Sequence, residues 1–475
     1  MGEPADPAGG LDPLWRRLGE RLAALDAEVT ERPIAPKVDA DALRTALGRH
    51  DFSTPIDPGA LLDEVCAGLR DGQVHATHPR YFGLVHPAPI AAAIVADALV
   101  AAFDTQLATR GHAPWAVAVE DHLVQAFGAR FGYPVDAIEG TFTSGGAEAN
   151  TTALLVALDH AFPQARAGGL RALGGDPVLY VSNEGHPTVA RAARIAGLGA
   201  DAVRVVPVDA RQRMRPEALA GALKKDRRAG KLPFLIVATA GTTSTGAIDP
   251  LDELADLTAR ARCWLHVDAA WGGLAALVPE RAGVLAGLSR ADSLTFDPHK
   301  VLPIPIGAGM YLSRRPGALG RTFQPARAGY TPRDGAEAPH ARSMQWSRRF
   351  SGLKVFAALA ALGWDGLATM LRGQLALADR LRTSLAARGW SIVNDTPLPV
   401  VCFVDATRAD GRTARLLEGV ARGVIRAGAG WLSMTRLSSG APLLRACVNN
   451  HRTEPADVDA LVDALDLARA AVGPP

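Results

Sequence analysis

The chain has little cysteine, almost no surplus charge and no long apolar run, and each shortage removes a class of function. Its 475 residues hold four cysteines, Cys66, Cys263, Cys402 and Cys447, scattered and without a C-x-x-C pair. That usage reads as a reduced, cytoplasmic compartment. A net charge of +2 gives no argument for nucleic acid or an anionic membrane as partner. The longest apolar stretch, Pro89 to Phe103, is short for a bilayer span and carries Asp97. The N-terminus is acidic and rich in Pro and Gly instead of basic then apolar, so no signal peptide is expected. G-x-G-x-x-G is absent, which sets aside a dinucleotide fold. No internal repeat breaks the pattern. What is present is the balance of a globular protein, 48% apolar and 21% charged, long enough for two or three lobes sharing a core.

Residues 1 to about 13 read as a frayed tail. Helical spacing of apolar residues follows over Leu14–Val29 and Asp57–Leu69, then over two helices between Pro89 and Phe131 interrupted around Gly111–Pro114. Short apolar runs at Val178–Ser182, Val203–Val208, Phe234–Thr239, Cys263–Asp268 and Ser293–Phe296 read as strands. Helical segments separate them: Ala147–His160, Pro187–Ala196, Pro216–Ala229 and Asp252–Arg262. That alternation argues for an α/β fold with a mostly parallel sheet and helices on both faces. After Arg348 the pattern changes. Helices at Leu353–Ala361, Ala368–Arg388, Thr413–Ala427 and Pro455–Val472 accompany strands at Val400–Asp405 and Leu443–Val448, a smaller C-terminal α/β domain.

Five motifs carry chemistry. Thr141-Phe-Thr-Ser-Gly-Gly-Ala-Glu-Ala-Asn150 stands before a helix, where small residues let backbone N–H groups close around an anion. Taken alone it reads rather as a glycine turn capping that helix. His186 begins a helix after a strand; it can stack on an aromatic ring or simply cap. Thr243 lies in a Thr-rich segment after another strand, ending at Asp249, where hydroxyls reach a ligand crevice or only turn the chain. Asp268 and the small Ala270 close His-Val-Asp-Ala-Ala-Trp-Gly-Gly, and His266 shares near-metal spacing with Asp268. No second His/Cys set completes a site, so no metal is assigned. Lys300 ends Ser-Leu-Thr-Phe-Asp-Pro-His-Lys. An amine that attacks an aldehyde must first lose its proton, and burial with neighbouring positive character is expected to lower its pKa.

The Asp268 and Lys300 motifs together resemble those of the group II amino-acid decarboxylases dependent on pyridoxal 5'-phosphate (PLP), the family of aromatic-L-amino-acid and glutamate decarboxylases. The resemblance runs from about residue 75 to the C-terminus. It implies the fold type I architecture of PLP-dependent transferases, with a helical arm over 1–85 that wraps a homodimer partner, a cofactor-binding domain over 86–347 and a small domain over 348–475. It implies a Schiff base between Lys300 and PLP, Asp268 on the pyridine nitrogen, His186 stacked over the ring and Ala270 beneath it. Phosphate contacts fall to Gly145, Gly146 and Ala147, the last where some relatives carry serine, and to His299. Thr243 is placed near the ring or phosphate, with Asp249 in a supporting position. Asp297 stands where some relatives have Asn, so an acid near phosphate needs a proton or a bridging partner.

The chain also departs from the family. In relatives a flexible loop before Arg348-Arg349-Phe carries a tyrosine that protonates the substrate carbon after CO2 leaves. The corresponding segment, Thr331 to Trp346, has none, and Tyr330 lies too far upstream. His340 is the nearest proton donor. The product is an amine if that carbon is protonated and an aldehyde if oxygen takes its electrons. An aminotransferase, another lyase and a non-catalytic PLP-binding homologue are the remaining alternatives. The expected partner is a small molecule, an amino-acid substrate, with neither nucleic acid nor membrane. Val85 and His86 match the family's first substrate-pocket segment, and Arg110 matches the second, where it pairs with a polar side chain or else faces solvent or a partner. Arg445 matches the small domain's strand arginine, a candidate for the substrate carboxylate or a brace.

Overall fold

The computed structural model describes residues 11–324, 338–409 and 411–472. Twelve strands among them are numbered in chain order. They are β1 Tyr81–Phe82, β2 Glu139–Thr143, β3 Pro177–Ser182, β4 Val203–Val206, β5 Leu232–Thr239 and β6 Trp264–Asp268, followed by β7 Ser293–Phe296, β8 Gly309–Ser313, β9 Trp390–Ile392, β10 Val400–Asp405, β11 Trp431–Arg436 and β12 Pro442–Cys447. A seven-stranded sheet runs β2-β8-β7-β6-β5-β3-β4, and a five-stranded one β1-β11-β12-β10-β9.

In the larger sheet β8 is antiparallel to both β2 and β7, while every other pairing is parallel. Two reversals cancel, so β2 runs the same way as β7. The carboxyl ends of β2, β3, β5, β6 and β7 therefore share one edge, the place where an open α/β sheet presents its crevice. Apart from the edge strand β4, strands here are buried on both faces, which is why β5 reads as a continuous apolar run, Phe-Leu-Ile-Val-Ala after Pro233. The helix Gly146–Ala161 packs Ala149, Ala153, Leu154 and Ala157 onto the sheet, and its small residues let it sit close.

The expected strands and helices are present to within a few residues, and the expected break between Leu353–Ala361 and Ala368–Arg388 is a kink at Gly363 (φ +64) inside Gly352–Ala387. Glycine tolerates that left-handed φ at little cost. Four strands longer than two residues were not expected: β2, β8, β9 and β11. A further departure concerns β1. This piece of the expected arm pairs in parallel with β11, so the small sheet begins with residues from the far end of the sequence. The reason is local: Tyr81 stacks on Trp431 with ring centroids 5.2 Å apart.

A buried ion pair ties the helix Pro114–Arg130 to the start of the helix Gly352–Ala387. Arg348 Nη1 lies 2.6 Å from Glu120 Oε2 with both side chains almost fully enclosed, and Glu120 Oε1 also accepts the Gly352 N–H at 3.1 Å. Burial pushes the Glu120 carboxyl up, with Arg348 pulling against it. Breaking such a pair strands a charge. Glu120→Ala is expected to cost about 3–5 kcal/mol, measured as a lower urea midpoint, whereas replacing both partners with methionine loses far less.

Candidate active site

Five loops at the carboxyl edge of the larger sheet bring the motif residues together. The turn after β2 leads into the helix Gly146–Ala161, whose first N–H groups have no intrahelical acceptor. The segment is packed against the loop after β7. A Cβ on Gly146 would lie 2.9 Å from Asp297 Oδ2 and 3.6 Å from the Ala270 Cβ, and one on Gly145 would lie 3.4 Å from His299 Cε1. From the other side, a Cβ on Gly309 of β8 would meet the Gly145 Cα at 2.6 Å. Glycine is required here by close approach.

Asp268, buried at the end of β6, accepts from Asn150 Nδ2 at 2.8 Å and from the Ala270 N–H at 3.2 Å. Lys300 lies in the short helical turn Pro298–Val301 beyond β7 and sets its Nζ 2.9 Å from Asp297 Oδ2. Burial lowers the Lys300 pKa, but the charge of Asp297, helped by Asp268, outweighs it and the net shift is upward. This corrects the expectation of a lowered pKa. The controlling neighbour is an acid three residues back on the same helical turn. Neither Asp297 oxygen finds a hydrogen bond of good geometry, though the side chain is wholly buried. Oδ1 has no polar partner and Oδ2 has only the Lys300 ammonium, so together with the uncapped helix start they mark a place for a further polar group. A phosphorylated aldehyde such as PLP fits it: an amine for the aldehyde, a carboxylate for the ring nitrogen, N–H groups for the phosphate.

His186 is half-buried, and burial lowers its pKa while Asp268 and Asp297 act to raise it and Lys300 to lower it. All four groups thus lie within electrostatic reach. His299 holds the Ala308 carbonyl through Nδ1 at 2.7 Å, and burial lowers its pKa. His86 is coupled to it: burial lowers its pKa first, and His299 adds to the effect. Val85, beside it, packs on the core. Thr243 is exposed, and its carbonyl accepts Arg445 Nε at 2.9 Å. Arg445 Nη1 donates to the Gly83 carbonyl at 2.6 Å, and Nη2 is buried with no partner. Asp249 stands behind the loop, accepting the Met214 and Thr239 N–H groups at 2.7 and 2.8 Å while burial pushes its pKa up to about 6.

Two expected residues are placed elsewhere among the described contacts. Arg110 pairs with Asp121 at 2.7 Å and faces a cleft of about 630 Å³ shared with Glu139, Arg321 and Arg342. It is therefore already neutralised within the chain. His340 is not on an open lid. It is buried, its Nδ1 lies 2.8 Å from the Ala108 carbonyl and its ring packs 4.6 Å from Trp346. Tyr330 and residues 331–337 lie outside the described residues.

Sequence reasoning passed over Asn150, Thr188 and Thr295 as site residues. The signal was the polar alternation His266-Val-Asp268 and Ser293-Leu-Thr295 in otherwise apolar strands. Period two puts each pair on one face, and the register His266↔Ser293, Asp268↔Thr295 sets them side by side.

A crevice with these groups, at the carboxyl edge of a seven-stranded sheet, defines a fold type I PLP enzyme. The pyridoxal-dependent decarboxylase conserved domain matches residues 49–405. The chain is 33% identical to an L-2,4-diaminobutyrate decarboxylase of Rhizobium meliloti over 97% of this chain and 94% of that one. It is 30% identical to an aromatic-L-amino-acid decarboxylase of Bacillus atrophaeus over 89% and 88%. The crystal structure of mouse CSAD superposes with a TM-score of 0.90, at 26% identity, over 97% of this chain and all (100%) of that one. The protein belongs to the group II PLP-dependent amino-acid decarboxylases, carboxy-lyases that act through this cofactor.

The Lys300–Asp297 pair yields a test. With Asp297→Asn the amine loses its counter-charge and more of it is deprotonated at neutral pH. Apoenzyme of this variant is expected to take up PLP faster than wild type near pH 7, followed by visible absorbance, with the difference closing as pH rises past the lysine pKa.

Proposed function

We propose that the chain decarboxylates an L-amino acid to its amine and CO2, with Lys300 as the residue that carries PLP. The observation behind this reading is the meeting of Lys300 and Asp268 beside the Gly145–Ala147 helix start. When bound, the cofactor supplies an electron sink in its protonated pyridine ring. Asp268 holds the proton on the ring nitrogen. Ala270 leaves room beneath the ring, and His186 covers the opposite face. Gly145, Gly146 and Ala147 donate N–H groups to the phosphate, with His299 and Thr243 at its flank. Asp297 pairs with the Lys300 ammonium whenever the lysine does not carry the cofactor. Arg445, with Nη2 free, offers the substrate a charge-assisted hydrogen bond, while Val85 and His86 line the way in.

The test is a panel of aromatic, acidic and basic L-amino acids, with CO2, amine and peroxide measured. Amine and CO2 in equal amounts without peroxide are expected from at least one substrate; aldehyde with peroxide would replace this reading by the oxidative one. Lys300→Ala is expected to lose the visible absorbance of bound cofactor and to slow turnover roughly a thousandfold or more.

We also infer a homodimer in a reducing, cytoplasmic setting. Four free cysteines support the setting. Supporting the dimer, the helix Ala91–Phe103 leaves Val95 (57%), Leu99 (46%) and Phe103 (79%) exposed, and Trp115 (61%) and Ile306 (63%) are also bare. Apolar residues gathered at this density call for a covering surface. Phe103→Asp is expected to shift the chain toward monomer in sedimentation velocity and to weaken PLP retention. Unchanged mass would sink the assignment of this face.

A further inference from the structure

Behind Asp268 and His186 lies a buried hydrogen-bond chain whose direction follows from groups that can play only one part. The Thr188 backbone N–H can only donate, and it points at His186 Nδ1 from 3.3 Å. Nδ1 is therefore an acceptor, and the proton of the neutral imidazole sits on Nε2. The Asp268 carboxylate accepts Asn150 Nδ2 at 2.8 Å, which fixes the orientation of the Asn150 amide. Its second Nδ2 proton goes to Thr188 Oγ1 at 3.1 Å. Thr188 Oγ1 is then occupied as acceptor, and its own proton goes to His186 Nδ1 at 2.9 Å.

On the other side Asn150 Oδ1 accepts from Thr295 Oγ1 at 2.8 Å and from His266 Nε2 at 3.1 Å. His266 Nδ1 lies 2.9 Å from Ser293 Oγ, which accepts the Trp264 indole N–H at 2.8 Å. The proton positions run in one sense from Trp264 to His186. All four hydrogen-bonding positions of Asn150 are used.

We propose that Asn150 is a positioning residue that joins the ring-nitrogen carboxylate Asp268 to the ring-covering His186 and, through Thr188, locks His186 as its Nε2–H tautomer. This rests on the PLP reading of the site. His186 then meets the cofactor as a neutral donor with a fixed proton. The charged groups facing its ring are Asp268 on β6, Asp297 and Lys300 beyond β7, and Arg191 on its own helix. The chain from Asn150 adds no charge to that set; it sets where the proton sits.

The experiment compares Thr188→Val, Thr188→Ser, Asn150→Leu and the Asn150→Leu/Thr188→Val double variant as holoenzymes. Two pH titrations are read: the acid limb of kcat/KM, and the visible absorbance of bound PLP without substrate. Removing the hydroxyl takes a donor from the neutral imidazole, so its protonated form gains. Thr188→Val is expected to move both titrations up by about half to one pH unit, while Thr188→Ser keeps the wild-type position. Asn150→Leu moves them the same way, and the double variant moves no further than the larger single shift, since both act through one chain. Wild-type titrations in Thr188→Val, or shifts that add in the double variant, would overturn the proposal. If Asn150→Leu does not fold, the Val and Ser variants of Thr188 still decide it. Wild-type protein that binds PLP and releases CO2 while Thr188→Val titrates unchanged refutes this inference alone; wild-type protein that takes up no PLP refutes both.

Discussion

A carboxylate buried at a strand end has to be supplied with hydrogen bonds or it forces the fold apart. Asp268 is that carboxylate, and much of the carboxyl edge is arranged around it. Asn150 reaches it from the first helix of the larger sheet, Ala270 from the turn that follows it, and Lys300 adds a favourable charge from beyond β7. The requirement explains why polar residues interrupt β6 and β7. Stability and chemistry ask for the same atoms here.

The architecture was readable where burial writes a simple pattern. The doubly covered strands β3, β5, β6 and β7 and the helices between them show as apolar runs and helical spacing. β2 and β8 do not, because Glu-Gly-Thr-Phe-Thr and Gly-Met-Tyr-Leu-Ser have no periodicity to report. They are strands because their neighbours enclose them, and Glu139 is tolerated in the sheet because Leu319 N–H donates to it at 3.2 Å. β9 and β11 are short or half-exposed and carry as little signal.

At the site, residue types were legible and their mutual facing was not. Lys300, Asp268, His186, His299 and the glycine loop stand together as their motifs implied. The sign of the Lys300 shift was missed because it depends on which neighbour touches the amine. Asn150 sat inside a quoted motif without a role, since only the fold brings residues 118 positions apart, Asn150 and Asp268, into one hydrogen bond. Arg110 and His340 show the converse: chemistry fitting a role, with partners already taken.

The short strand β1 gives the molecule a property that neither sheet has alone. Residues 77–83 are fastened to the small lobe by the Tyr81–Trp431 stack, by Asn450 and Thr453 holding the carbonyls of His78 and Pro79, and by Arg445 holding that of Gly83. Val85 and His86 follow two residues later. The position of Val85 and His86, the segment proposed to meet the substrate, is thus set by the small lobe through a tether two residues long. A substitution in the small lobe that shifts Trp431 or Arg445 therefore reaches the mouth of the crevice without touching either sheet's core.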